Sequence, residues 1–322
     1  MILALAAALA VPYAGTAACG ACHGEIAKSQ GGTAHASALK AGADGRWAFG
    51  SGVQAITYVS QVDEDSYLEH GLSWYRKADR LHFTPGHEDA KGVRYRTFAA
   101  DSAIMRCFGC HSTGTVRLAE GRKLQPAEPG VRCEACHGAG GEHAKKPEVG
   151  NIRHPGKLDA AAVNNLCGEC HRMPPAQGVA TNWENPWNTR HQPVYLSQAA
   201  CFLKSGGQLS CLSCHRAHSD EPMNVEAKCA ECHAKPRHVT AVGKQRCVEC
   251  HMPKVEASEW LAFTNHWIGV YELPLTPRNR LRPRAERTRG GLTPGLRKQV
   301  GEVFERGGGF RAIGSVGFFG DR

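Results

Sequence analysis

The chain has 322 residues with a formal net charge of +9, 42% apolar and 7% aromatic residues, and 37 Gly with 17 Pro. That length suits one large domain or two ordinary ones, and the composition is rich in loops and thin in large core side chains. The chain lacks any run of 18 apolar residues, which excludes an ordinary transmembrane span, and the positive charge raises nucleic acid or an anionic membrane as partners until its origin is traced.

From the N-terminus, Met1–Ala14 is a short apolar stretch rich in Ala and Leu, followed by small residues at Gly15, Thr16, Ala17 and Ala18. It reads as the apolar region and cleavage zone of a secretory signal over residues 1–18; a charged n-region is missing, so an upstream start is expected. Immediately after it, Cys19, Cys22 and His23 open a pattern that recurs six more times. The next three are Cys107, Cys110 and His111, then Cys133, Cys136 and His137, then Cys167, Cys170 and His171. The last three are Cys211, Cys214 and His215, then Cys229, Cys232 and His233, then Cys247, Cys250 and His251. Fourteen of the 15 cysteines are used in this way. Cys-x-x-Cys-His is the attachment pattern of c-type haem. Each thiol S–H adds across a haem vinyl group to give a thioether, and the adjacent His reaches the iron from the proximal side. Zinc ribbons need pairs of such pairs, and seven is odd. A disulfide framework gives no reason for His after every second Cys. The expected cofactor is therefore haem c, seven per chain. Because haem is attached to such proteins outside the cytoplasm, the motifs and the leader both point to a periplasmic or cell-surface location.

Between the first two motifs lies a step of 88 residues, and the later steps are 26, 34, 44, 18 and 18. In the long gap, Trp47–Val62 and Tyr67–Thr84 carry Val, Ile, Thr, Tyr, Trp and Phe broken by Gly and Asp, which predicts two or more short antiparallel strands within residues 24–106. Short helices are expected around the motifs, such as Asp159–Cys170 with Asp159 as its N-cap. Pro174–Pro193 reads as irregular. The evenly spaced last three motifs leave room for one short helix and a loop each, so porphyrin has to serve as the interior there. The fold class expected is mainly α with large irregular content, a multihaem cytochrome c fold built around packed haems with a small antiparallel β region. Residues 19–276 would form this heptahaem domain, with the β-containing insertion at about 45–100.

The tail from Pro277 to Arg322 holds ten Arg and one Lys against four acidic residues, with no Cys or His, and reads as a flexible segment in which Leu296–Arg306 could form a short helix. It carries +7 of the +9, leaving +2 for residues 1–276. Each ferric haem contributes about −1 and each ferrous haem about −2. The loaded body is then acidic, about −5 oxidised and −12 reduced, and no nucleic acid is expected as a partner.

Ten of the 17 His lie outside the motifs: His35, His70, His82, His87, His143, His154, His191, His218, His238 and His266. That surplus is close to what distal ligands for seven irons require, and the chain has only five Met as rivals. Low-spin bis-His sites of low potential are expected. His35, His143, His218, His238 and His266 are the leading distal ligands and His87 the next; the other four read as surface or hydrogen-bonding histidines. The lone Cys201 reads as a buried reduced thiol near a haem.

Several blocks resemble cytochrome c-554-like multihaem cytochromes. They are Cys19–His23 followed by Gly32-Thr-Ala-His35, Cys133–His137 continuing to His143, Leu209-Ser-Cys211 through His218, and Cys247–His251-Met-Pro-Lys254 running to Asn265-His266-Trp-Ile. The resemblance covers roughly residues 15–270. It implies a periplasmic electron-transfer protein with packed bis-His haems and sometimes one open iron, and it strengthens His35, His143, His218 and His266 as ligands. Ala217 stands where the family has Pro. The expected partners are other cytochromes or a quinol-oxidising membrane complex, and self-association is left open. The alternative function is an oxidoreductase of the nitrite, hydroxylamine or tetrathionate type with one five-coordinate haem.

Overall fold

The computed structural model describes residues 12–87, 96–174, 181–221, 223–236, 238 and 246–284. The chain divides into two compact units, Met1–Pro155 with His218–Asp220, and Gly156–Ala217 with Glu221–Arg322.

The first unit begins with helices α1 (Thr16–Cys22) and α2 (Gly24–Gly31). Six strands then form one antiparallel sheet: β1 (Leu39–Ala41), β2 (Trp47–Phe49), β3 (Ala55–Gln61), β4 (Ser66–Tyr75), β5 (Arg80–Phe83) and β6 (Arg96–Ala99). The first five run in sequence order. β4 is ten residues long, and β5 and β6 share one of its sides: Leu72–Tyr75 pairs with β5 and Ser66–Glu69 with β6. Strands are favoured here because β-branched and aromatic residues alternate between a buried and a wetter face. Leu39, Phe49, Val59 and Tyr67 point to the buried side and close around Ile104 and Phe108 of α3 (Ile104–His111). Phe108 is fully buried, with Trp47 and Phe49 edge-on at centroid distances of 5.1 and 5.0 Å. Helix α3 leads directly into the hairpin β7 (Ser112–Leu118) and β8 (Leu124–Pro129), then into α4 (Cys133–His137) and α5 (Gly141–Lys145).

In the second unit, α6 (Ala160–His171) starts at Asp159, whose carboxylate accepts the Ala162 N–H at 2.8 Å, the capping that the sequence predicts. Helices α7 (Gln192–Leu196), α8 (Ala200–Lys204), α9 (Cys211–Cys214), α10 (Val225–Ala230) and α11 (Cys247–His251) follow, and a hairpin of β9 (Lys254–Ser258) and β10 (Leu261–Thr264) ends the regular structure. Two small clusters fill this unit. Val194, Tyr195 and Trp267 pack with Trp183; Leu196, Ala199 and Phe202 pack with Cys201, Leu209 and Ile268. The expected irregular stretch before Pro193 includes a 3-10 turn at Pro186–Arg190.

Three features refine the expectations. Strand is about as extensive as helix, so the class is mixed and not mainly α; the β7–β8 and β9–β10 hairpins join a sheet of six strands. The folded body also extends beyond Thr276: Asn279 and Leu281 are buried, and the Arg284 N–H reaches the Val270 carbonyl at 2.7 Å. At the other end, Pro12–Ala18 is built into the first unit and helix α1 starts inside the expected leader. The proposed helix Leu296–Arg306 lies outside the described residues.

Candidate haem-binding sites

Each Cys-x-x-Cys-His motif lies on a short helix or at its end. In the first unit, Cys19 and Cys22 stand in α1, Cys107 and Cys110 in α3, and Cys133 and Cys136 in α4. In the second, Cys167 and Cys170 stand in α6, Cys211 and Cys214 in α9, and Cys247 and Cys250 in α11. The sixth motif in chain order departs from this: Cys229 is in α10 and Cys232 in the turn after it. A helical turn sets residues i and i+3 on one face, as two thioethers to one macrocycle require. Cys250 illustrates the arrangement: it is a half-buried thiol one turn on from Cys247, and no disulfide joins the two. Burial, and next the Glu69 carboxylate, push the Cys107 thiol up to about 11; burial with Cys133 does the same for Cys19.

The histidines carry the more decisive geometry. The Nδ1–H groups of His111, His137 and His251 donate to the carbonyls of Ala38 (3.0 Å), Arg153 (2.9 Å) and Gly269 (2.8 Å), and His171 donates to the side-chain oxygen of Gln192 (3.1 Å). Two histidines outside the motifs behave alike: His143 donates to Asn151 Oδ1 at 2.8 Å and His266 to the Thr264 carbonyl at 3.0 Å. A carbonyl oxygen only accepts, so Nδ1 holds the proton and Nε2 keeps its lone pair. This is the tautomer and the outer hydrogen bond of a metal-ligating imidazole. Burial also holds His137 and His215 below the ordinary histidine range and His266 at about 4, which keeps these rings neutral at pH 7.

Three motif histidines face a histidine from elsewhere in the chain. His137 and His218 lie 6.0 Å apart between ring centroids and within 10° of parallel; His215 and His266 lie 6.2 Å apart at 28°, and His251 and His238 lie 6.2 Å apart at 48°. At such centroid distances the rings are not packed face to face. Two imidazoles bound to one metal from opposite sides, with metal–nitrogen bonds of about 2.0–2.1 Å, would have centroids about 6 Å apart. The donor set therefore fits a bis-His haem iron. Among the described residues, no group of three or more His, Cys, Asp or Glu side chains is arranged to hold a bare metal ion.

The remaining histidines differ. His35 lies in the turn after α2, where its carbonyl accepts the Val131 N–H at 2.9 Å. His87, an expected ligand, is buried, with Nε2 3.2 Å from Glu69 Oε2, which also takes Arg96 Nη1 at 3.1 Å. His70 Nε2 lies 2.8 Å from the Ser60 hydroxyl, and His82 Nε2 accepts from Arg80 Nε at 2.9 Å. Burial, then Arg172 and Arg190, lower His191 to about 3. Cys201 is half-buried, and burial raises its thiol pKa; Cys214 and Cys232 are close enough to add to that shift.

Thiols of different motifs also meet. The side chains of Cys19 and Cys133, of Cys167 and Cys211, and of Cys229 and Cys247 lie next to each other, in each case the first cysteine of its motif. Asn164 of α6 arranges one of these contacts. It is buried, accepts the Cys211 N–H at 3.0 Å on Oδ1, and donates from Nδ2 to the Leu209 carbonyl at 3.1 Å. Asn265 does similar work beside His266: its amide donates to the carbonyls of Arg280 (2.8 Å) and Leu281 (3.1 Å), and its oxygen accepts the Trp267 N–H at 2.9 Å. Reading the sequence missed Asn151, Gln192 and Asn164, because an amide side chain carries no local motif.

Comparison with known proteins agrees with this chemistry. The family described as cytochrome c554 and c-prime matches residues 72–138. The multiheme cytochrome MtrA of Shewanella baltica (strain OS185) is 28% identical over 114 residues, which take in 33% of this chain and 28% of that protein. Two solved structures are similar at 17% identity. An undecaheme cytochrome from the S-layer of Carboxydothermus ferrireducens gives a TM-score of 0.44, covering 74% of this chain and 44% of that one. The outer cell wall cytochrome OcwA gives 0.41, covering 65% and 58%. Motifs, histidine chemistry and the family match over residues 72–138 together support the class of multihaem c-type cytochromes, with covalently bound haem. Among the described residues, no helix is long and apolar enough to cross a membrane.

Proposed function

We propose that the chain carries seven covalently attached haems and moves electrons between redox proteins in the periplasm or at the cell surface. The observation that carries this reading is the set of three histidine pairs at 6.0–6.2 Å, His137/His218, His215/His266 and His251/His238, because an iron with both axial positions taken exchanges electrons and does not bind substrate. When bound, haem supplies an iron that alternates between ferric and ferrous states. Fourteen cysteines, from Cys19 to Cys250, form the thioethers, and His23, His111, His137, His171, His215, His233 and His251 are the proximal ligands. His218, His266 and His238 are distal to the motifs of His137, His215 and His251. His35 and His143 are the further distal ligands in this reading, and the Asn151 amide oxygen orients His143. The thiol contacts Cys19–Cys133, Cys167–Cys211 and Cys229–Cys247 set attachment points side by side, which keeps transfer distances short. His87 serves Glu69 and leaves the ligand set.

Electron paramagnetic resonance of the oxidised protein tests this. Low-spin signals, unchanged by nitrite or hydroxylamine, are expected for the sites with paired histidines. A high-spin haem that binds either molecule would favour the second reading, an oxidoreductase with one open iron. The engagement of His87 with Glu69 keeps that reading in view, since it leaves five distal candidates for seven motifs.

A further inference from the structure

The segment ahead of the first haem motif is fixed to the body of the first unit by bonds that a leader ending at Ala18 would remove. The Ala14 and Gly15 N–H groups donate to the two carboxylate oxygens of Glu134, each at 2.8 Å, and the Gly140 N–H donates to the same carboxylate at 2.7 Å. Glu134 is 4% exposed and sits inside the third haem motif, between Cys133 and Cys136. Next along the chain, the Thr16 backbone N–H and hydroxyl both donate to Glu128 Oε2, at 3.3 and 2.9 Å. Upstream, the Pro12 carbonyl accepts the Gly141 N–H at 2.9 Å. It sits so close that a Cβ at Gly141 would lie 2.3 Å from it, and a Cβ at Gly114 would lie 3.0 Å from the Tyr13 ring.

A buried carboxylate deprived of its donors is costly, because the hydrogen bonds that offset the loss of water around its charge are gone. Cutting after Ala17 or Ala18 would take away two of the three backbone donors to Glu134 and both Thr16 donors to Glu128. It would also remove the start of α1, which carries Cys19 and Cys22. Export signals are cut after small residues in an A-x-A-like pattern. Three such triplets bear on the choice: Gly15-Thr16-Ala17 and Thr16-Ala17-Ala18 lie inside or overlap the docked segment, whereas Ala8-Leu9-Ala10 ends just ahead of it. The scissile bond itself lies outside the described residues; the structure supplies the boundary downstream of it.

We infer that the exported protein is cleaved between Ala10 and Val11, and that Pro12–Thr16, next to the new N-terminus, is a structural part of the mature cytochrome that completes the Glu134 site. The inference rests on the export reading above. The step is hydrolysis of one peptide bond, water giving the carboxylate of Ala10 and the ammonium of Val11.

The test is to express the full chain with its own leader in a host that exports and matures c-type cytochromes. The haem-loaded protein recovered outside the cytoplasm is then analysed by intact mass and N-terminal sequencing. An N-terminus at Val11 is expected. An N-terminus at Ala18 or Cys19 overturns the inference while leaving export intact. A haem-free chain that stays in the cytoplasm with residues 1–10 attached overturns export and the inference with it. A second arm compares chains beginning at Val11 and at Ala18 behind one foreign leader. The shorter chain should melt at a lower temperature, and equal melting temperatures would show that the arm contributes nothing.

Discussion

At the scale of single residues, a histidine's role follows from where its two nitrogens go. His266 gives Nδ1 to the Thr264 carbonyl and faces His215 at 6.2 Å, so replacing it with Ala should convert one haem from low to high spin. Electron paramagnetic resonance and the optical spectrum of the oxidised protein read that change, and an unaltered spin state would show the ligand assignment to be wrong. His87 makes the contrast. Its Nε2 meets Glu69, so His87→Ala should leave every haem's spin state as it was and cost stability, about 1.5–3 kcal/mol for a lost hydrogen bond to a charged partner. Thermal melting monitored beside the spectrum separates the two outcomes. A His-to-Ala change that altered spin at position 87 would return it to the ligand set.

Elements determine which motifs stand together. Helix α3 is held because Phe108 fills the buried face of the six-stranded sheet, with Trp47, Phe49 and Tyr67 around it. Phe108→Ala should cost about 3–5 kcal/mol, as other large aromatic truncations in cores do. The loss should appear as a lower denaturation midpoint and as chains lacking the haem of Cys107 and Cys110 in an intact-mass spectrum. Asn164 joins α6 to α9 through Cys211. Asn164→Ala leaves the Cys211 N–H and the Leu209 carbonyl without a buried partner, so incomplete attachment at Cys211 and Cys214 is expected in the same measurement, with Cys107 and Cys110 unaffected. Elements also account for the missed strands. β9 and β10 are five and four residues long and lie among haem motifs, too short for alternation to stand out. The strands of the sheet were legible because Trp47–Val62 and Tyr67–Thr84 concentrate β-branched and aromatic residues between turn formers.

Across the whole molecule, core and cofactor divide the work. The first unit has an ordinary hydrophobic core against its sheet. By contrast, none of the described residues from Cys211 to Met252 is buried, in keeping with the reading that the closely spaced motifs cannot make a core from side chains. Charge should follow the same division. With seven ferric haems, the formal +9 falls to about +2, and full reduction takes it to about −5. Native isoelectric focusing should therefore move the protein toward acid on reduction, by a shift matching about seven charges. A shift of only a few charges would mean fewer haems than motifs.

The sequence by itself determined the attachment chemistry, because Cys-x-x-Cys-His is a local pattern whose geometry one helical turn supplies. It also put forward six leading distal histidines, of which His218, His238 and His266 face a motif histidine at 6.0–6.2 Å. Only the tertiary structure decided which histidine faces which motif, since His218 reaches His137 across 81 residues of chain and His266 reaches His215 across 51. It alone committed His87 to Glu69, paired the first cysteines of separate motifs, and gave Pro12–Thr16 a place beside Glu134. Axial ligation and the satisfaction of a buried carboxylate join residues far apart in the chain, and no spacing rule encodes such contacts.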